Sequence, residues 1–190
     1  MTANRYVALL RGINVGRNKQ LPMAELARVM EGLGYDDVKT YLRSGQVVFS
    51  ADAAATAAAA ERLAADIDDA ITEHLGMDVR VVVRTRSELA ALLKANPFTD
   101  RESDPTKLFC VFLSHQLTKS DLAGLDPATY EPEQLALARG GRDLYLWLPN
   151  GMGVSVLGAV RWERVTGQKS LVATARNWRT TTKLLELLDA

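Results

Sequence analysis

Residues 38–50, VKTYLRSGQVVFS, hold two β-rich runs, Val38–Leu42 and Gln46–Ser50, on either side of Arg43-Ser44-Gly45. Val, Thr, Tyr and Phe dominate the runs and glycine closes the connector, so the stretch predicts a hairpin with a tight turn. Toward the N-terminus, Pro22 suits the first turn of a helix. Met23, Leu26, Ala27, Met30 and Leu33 share one face of that helix before Gly32 and Gly34 end it. Ahead of it, Arg5–Arg11 (RYVALLR) is short, apolar and bounded by a Gly/Asn loop, the pattern of a buried strand. Beyond the hairpin, Asp52–Leu75 reads as a helix. Eight of the ten residues 51–60 are alanine, and Leu63, Ile67, Ile71 and Leu75 form its core stripe. Gly76 is its C-terminal cap, and Val79–Val83 (VRVVV) is the next strand. The order β-α-β-β-α-β over residues 5–84 is the split βαβ pattern of the ferredoxin-like fold.

Thr85 and Glu88 form a capping box that opens another helix, carrying Leu89, Leu92 and Leu93 and stopped at Pro97. Asn96–Thr106 (NPFTDRESDPT) is polar with two prolines and marks the boundary. Further on come a strand at Lys107–Leu113, a short helix from Thr118 to Gly124, and a hairpin pairing Gln134–Arg139 with Leu144–Leu148 across Gly140-Gly141. Ser155–Val165 is expected to be helical despite Gly158. Asn177 caps a last helix whose Thr181, Leu184, Leu185 and Leu188 face inward. The second half thus echoes the first. The expected fold is α+β: two ferredoxin-like halves in tandem, each an antiparallel sheet with helices on one face. The halves are residues 1–95 and 107–190, joined by the linker 96–106.

A chain of 190 residues buries about 70% of its unfolded surface, so it needs neither a metal nor a disulfide to fold. At 47% hydrophobic and 24% charged it has the composition of an ordinary globular domain. Twenty-three basic and twenty-three acidic residues cancel, so no global field draws nucleic acid or an anionic membrane. The charge is unevenly spread: residues 1–50 carry +3, 51–80 carry −5, 81–150 carry −1 and 151–190 carry +3. One cysteine, Cys110, excludes an intrachain disulfide and a Cys-based zinc site. The N-terminus runs straight into strand-like sequence without a secretory h-region. The 17 uncharged residues Leu144–Val160 hold too many prolines and glycines for a membrane helix. A cytoplasmic location and no membrane partner are expected.

Few residues offer catalytic chemistry. His74 sits where a cation favours a helix C-terminus, and His115 follows Ser114 without a nucleophile-elbow motif. Neither histidine shares a helical face with a second ligand, so no metal is expected. Gly12–Gly16 (GINVG) lacks the dinucleotide fingerprint, and Gly167-Gln168-Lys169-Ser170 fails the Walker A spacing, so no cofactor is implied. Arg11, Arg17 and Lys19 nevertheless bracket a loop rich in backbone N–H groups ahead of a helix, a suitable place for an anion. In an RNA recognition motif with Phe49 as the last consensus aromatic, Ser44 and Gln46 would take the two stacking positions. Polar side chains cannot supply stacking of about 1–3 kcal/mol per base, so conventional RNA recognition is not expected. Strand alternation puts Ser44, Gln46 and Val48 on one face and Val47 and Phe49 on the other. The Phe49 face should meet the helices; the opposite face is wet, covered by the second half, or occupied by a ligand. In Arg176-Asn177-Trp178, Asn177 is an N-cap with Trp178 packed below. The functional alternative is an anion held by Arg176, Arg179 and helix N–H groups, with Trp178 excluding water.

Tyr6–Gly16 (YVALLRGINVG), Pro22-Met23 with Leu26, Tyr41–Phe49 (YLRSGQVVF), Asn96-Pro97-Phe98 and Thr174–Leu185 (TARNWRTTTKLL) together resemble the bacterial family known as domain of unknown function 1697. The resemblance covers nearly the whole chain and implies a compact protein of two ferredoxin-like halves. It implies no activity, substrate or cofactor. In that family a second glycine is commoner where Arg17 stands, and an asparagine where Gln46 stands.

These readings suggest a binding module for a small anionic or phosphate-bearing ligand. Its candidate site comprises Arg11, Asn14, Arg17, Ser44, Gln46, Arg176, Asn177 and Trp178. One alternative is a protein-interaction or structural role with no ligand. Another is a transferase or hydrolase using Ser44 or Tyr41 with Arg11, which lacks an evident general base.

Overall fold

Strand β1 (Asn4–Leu10) is buried from Tyr6 onward and lies in the middle of the first sheet. The computed structural model describes residues 3–14 and 20–190, so Arg17 lies outside the described residues. After β1 come α1 (Met23–Gly32), β2 (Asp36–Tyr41), β3 (Gln46–Ala51), α2 (Ala57–Leu75) and β4 (Val81–Thr85). The sheet order is β2-β3-β1-β4 with every neighbour antiparallel, as the split βαβ pattern demands. Tyr6, Ala8, Leu10, Val47, Phe49, Val81 and Val83 pack against Leu26 and Met30 of α1 and Leu63, Ile67 and Ile71 of α2. Phe49 stacks on Tyr6 at 5.6 Å and on Tyr35 at 4.7 Å between ring centroids. The Phe49 face is therefore the helix face. The opposite face, with Val7, Leu9, Gln46, Val48, Ser50 and Arg84, is buried as well, which removes the wet alternative.

Helix α2 begins at Ala57, five residues later than the alanine run suggests. Asn4 Nδ2 donates to the Ala53 carbonyl at 2.8 Å, and Tyr6 Oη donates to the carbonyls of Ala53 and Ala54 at 2.9 Å. These tertiary bonds take the acceptors that a longer helix would need, and they override propensity. Thr56 becomes the N-cap, accepting from Ala59 N. Gly76 closes the helix at φ +63. The capping box forms as expected at α3 (Arg86–Lys94): Thr85 N donates to Glu88 Oε2 at 2.8 Å and Glu88 N to Thr85 Oγ1 at 3.1 Å.

The second sheet repeats the order of the first. Its strands are β5 (Leu108–Leu113), β6 (Gln134–Leu137), β7 (Asp143–Trp147) and β8 (Ala173–Asn177), arranged β6-β7-β5-β8. Its crossovers differ from expectation. The segment expected as a helix from Thr118 to Gly124 forms only the 3-10 turn Ser120–Leu122, followed by another at Pro127–Tyr130. Asp121 Oδ2 closes a local loop by accepting from Thr118 N at 2.7 Å, and Gly124 and Pro127 prevent elongation. The helix expected over Ser155–Val165 shrinks to α4 (Trp162–Val165). Side chains take the backbone N–H groups upstream of it: Ser155 Oγ accepts from Gly158, and the Glu133 carboxylate from Val156 and Leu157. Asn177 caps α5 (Trp178–Asp189), its Oδ1 accepting from Thr180 N at 2.9 Å.

The chain divides into two compact units, Met1–Ala90 with Leu184–Ala190, and Ala91–Lys183. Within the first, Arg5 donates to the Leu187 carbonyl at 3.0 Å and Arg86 pairs with Asp189 at 2.7 Å. No helix among the described residues is long and apolar enough to cross a membrane.

Asp68 on α2 makes the first unit sensitive to pH. Burial pushes its carboxyl up to about 6 against the opposing pull of Arg80, and its Oδ1 is buried without a hydrogen-bond partner. The native state holds this proton at a pH where an unfolded aspartate, near 4, has released it, so the group lowers stability as pH rises from about 4 to about 6. Asp68→Asn removes that loss. Its stability relative to the parent, from urea midpoints, should therefore rise between pH 4 and pH 7; a constant difference would contradict the assignment.

Candidate functional site

The exit of β1 is clasped to the β2–β3 turn. Asn14 adopts φ +53, a left-handed conformation that asparagine tolerates. Its Nδ2 donates to the carbonyls of Arg43 at 2.6 Å and Leu21 at 2.9 Å, while Oδ1 accepts from Leu21 N at 2.8 Å. Leu10 N donates to the Gly45 carbonyl at 2.9 Å. Leu42 at φ +56 and Gly45 at φ +76 give the turn its left-handed corners. A Cβ on residue 45 would stand 2.5 Å from Ile13 Cδ1, so the close approach requires glycine.

The clasp puts Arg11, Asn14, Arg43, Ser44 and Gln46 at one end of the first sheet. Arg11, Arg43 and Ser44 are exposed. Gln46 is wholly buried; its Nε2 donates to Ser44 Oγ at 3.2 Å and its Oε1 has no hydrogen-bond partner. Asn14 uses its whole amide on backbone groups, so it positions the rim. Arg43 was not among the residues singled out from the sequence. The signal for it was its place beside Ser44 in the predicted turn, but the Asn14 bond to its carbonyl spans 29 residues and leaves no local trace.

Arg176, Asn177 and Trp178 belong to the second unit. Arg176 is buried on β8, where Nη1 donates to Thr174 Oγ1 and to the Ala175 carbonyl, both at 2.8 Å. Burial lowers its pKa to about 10, so it stays charged at neutral pH. The Asn177 side chain serves the α5 cap, and Trp178 is buried.

Nucleophilic chemistry finds little support. Ser44 Oγ meets an amide, which cannot take its proton. Ser114 Oγ lies 2.8 Å from His115 Nδ1 but also accepts from Val172 N, a bond that secures the end of β5. Burial pushes the Cys110 thiol far above its ordinary value, so it is not a thiolate at neutral pH. Among the described residues, no group of three or more His, Cys, Asp or Glu could hold a metal ion.

A family described as protein of unknown function, DUF1697, matches residues 3–145. The chain belongs to this family. A solved structure, that of a conserved bacterial protein from Streptococcus pneumoniae, superimposes with a TM-score of 0.74 at 21% identity, with 100% of each chain covered. At that identity the likeness shows a shared fold. None of the curated proteins compared with the chain matches it.

Gly45→Ala tests the clasp. A strained φ together with a clash against Ile13 should lower stability by about 2 kcal/mol or more, measured by guanidinium unfolding. A loss under about 0.5 kcal/mol would show that the turn does not depend on this contact.

Proposed function

We propose that the protein is a cytoplasmic binding module for a small anionic ligand bearing a phosphate or carboxylate, docked on the rim of Arg11, Arg43 and Ser44 around Gln46. The supporting observation is the Gln46 amide, wholly buried with an oxygen that no donor meets, beside a turn bearing exposed Arg43 and a β1 exit bearing exposed Arg11. Leaving a buried acceptor unpaired costs about 1–3 kcal/mol. Gln46 Oε1 is closed to solvent, so a ligand O–H or N–H donor would meet it on opening of the rim, and that pairing would favour the bound state. Guanidinium groups match phosphate and carboxylate oxygens in paired hydrogen bonds. A phosphorylated polyol or an amino acid phosphate offers both an anion and a neighbouring donor. Asn14 gives weight to the ligand-free structural reading, because among the described residues its side-chain amide bonds to backbone groups.

A thermal-shift panel distinguishes the two. Glycerol 3-phosphate, phosphoserine, adenosine monophosphate and citrate are each added at 10 mM and compared with sulfate at matched ionic strength. A ligand present at ten times its Kd adds about 1.4 kcal/mol, which raises Tm by about 3–6 °C for a chain of this size. Arg43→Ala and Arg11→Ala should each remove most of that rise. No rise beyond sulfate for any compound, or a rise that both variants retain, overturns the reading.

A further inference from the structure

The two sheets share a strand order but not a cover. Where α1 spans β1 to β2 in the first unit, only two 3-10 turns span β5 to β6 in the second. There a cavity of about 750 Å³ opens, walled by Leu122, Leu125, Tyr130, Leu135, Leu137 and Leu157. All four residues of β6 line it, and β6 is an edge strand. Ala138 N donates to the Asp143 carbonyl at 2.9 Å. In the observed register, Gln134 and Ala136 are therefore the β6 residues bonded to β7. The N–H and C=O groups of Leu135 and Leu137 point to the free edge, and no hydrogen bond among the described residues engages them.

The corresponding edge in the first unit, β2, is blunted. It carries Asp36, Asp37 and Lys39, shifts register between Asp36 and Lys39, and turns left-handed at Asp37 with φ +50. Such devices keep an edge from pairing with another chain, and the sequence of β6, QLAL, has none of them. The surround is acidic: residues 119–134 contain Asp121, Asp126, Glu131 and Glu133 against Lys119 alone. An apolar cavity running along an unprotected edge, in an acidic frame, matches one kind of occupant.

We propose that β6 and this cavity bind an extended peptide, apolar at alternate positions and flanked by basic residues, which adds as a fifth strand to the second sheet. Backbone hydrogen bonds to Leu135 and Leu137 hold it in register, and its alternate apolar side chains fill the cavity. A basic flank faces Glu131, which lines the cavity. This site is independent of the anion rim, which lies in the other unit.

The test uses the full chain, labelled with ¹⁵N, titrated with a capped peptide of sequence Lys-Val-Thr-Val-Thr-Val-Lys and with the same peptide N-methylated at each valine. In antiparallel addition, the orientation proposed, valines whose side chains share the cavity face with Leu135 and Leu137 direct their N–H groups at β6, so methylation removes the pairing and keeps the apolar content. The parent peptide should shift the Leu135 and Leu137 amides and slow their hydrogen exchange, and the methylated one should bind at least tenfold more weakly. Leu135→Pro removes a donor on the free side while sparing the ladder to β7, so the fold should hold and peptide affinity should fall at least tenfold. Arg43→Ala should leave peptide binding unchanged. Absence of shifts at β6 with millimolar peptide, or equal binding of the two peptides, overturns the proposal. So does concentration-dependent dimerisation that protects the same amides without peptide, since a second copy would then occupy the edge.

Discussion

Strand β3 is buried along its whole length and on both faces, and this double burial constrains the first unit. A sheet with one wet face can place polar side chains outward; this one cannot, so each polar group on its second face must find a partner inside. Ser50 Oγ donates to Asp37 Oδ2 at 2.8 Å, which fixes the irregular start of β2. Arg84 turns Nη1 back onto the Val83 carbonyl at 3.0 Å. Thr85 is absorbed into the α3 capping box. Gln46 alone among these keeps a buried side-chain oxygen unmatched, which makes the start of β3 different in kind from the rest of the face.

The second unit repeats this arrangement at three matching positions. The β1–β4 ladder pairs Val7 with Arg84, and the β5–β8 ladder pairs Cys110 with Arg176. The next residue in each case, Thr85 or Asn177, caps the following helix. At the start of the third strand, Gln46 opposite Leu9 corresponds to Asp143 opposite Phe112, and both polar residues are buried. Each unit thus buries an arginine one residue before a helix cap. Burial of such a cation is costly unless its donors are met, and Arg176 shows the cost in its lowered pKa.

Much of this was legible because the deciding signals are local. Alternation in QVVFS separated the two sheet faces, Thr85 with Glu88 announced a cap, Gly76 closed a helix, and Gly140-Gly141 marked a hairpin. The failures share a cause: a distant or side-chain partner took backbone groups that local propensity assigned to a helix. Asn4 and Tyr6 did so at Ala53 and Ala54, and Glu133 did so at Val156 and Leu157. ATARN has one β-branched residue and carries no local strand signal; pairing with β5 makes Ala173–Asn177 a strand. At the site, the shared face of Ser44 and Gln46 could be read from period two. The role of Asn14 could not, since a left-handed asparagine is chosen by acceptors that only the folded chain supplies.

Comparison of the two units separates architecture from function at that site. In the first, the exit of β1 presses Ile13 against Gly45 of the hairpin turn, and Leu10 N bonds the turn. In the second, the exit of β5 presses the Leu117 carbonyl against Gly141, and Leu113 N bonds the turn at Arg142. The Asn14 side chain supplies the remaining link in one case and Leu117 N, bonded to the Gly141 carbonyl at 2.7 Å, supplies it in the other. A clasp that recurs with different chemistry is a requirement of the fold: a first strand must leave the sheet beside its own hairpin without losing backbone hydrogen bonds. Asn14 and Gly45 answer that requirement. What the clasp does not dictate is the identity of the residues it displays, and at the first unit's rim those are Arg11, Arg43 and Ser44. Under the proposed function a ligand would be read by these three, together with the amide of Gln46 beside them.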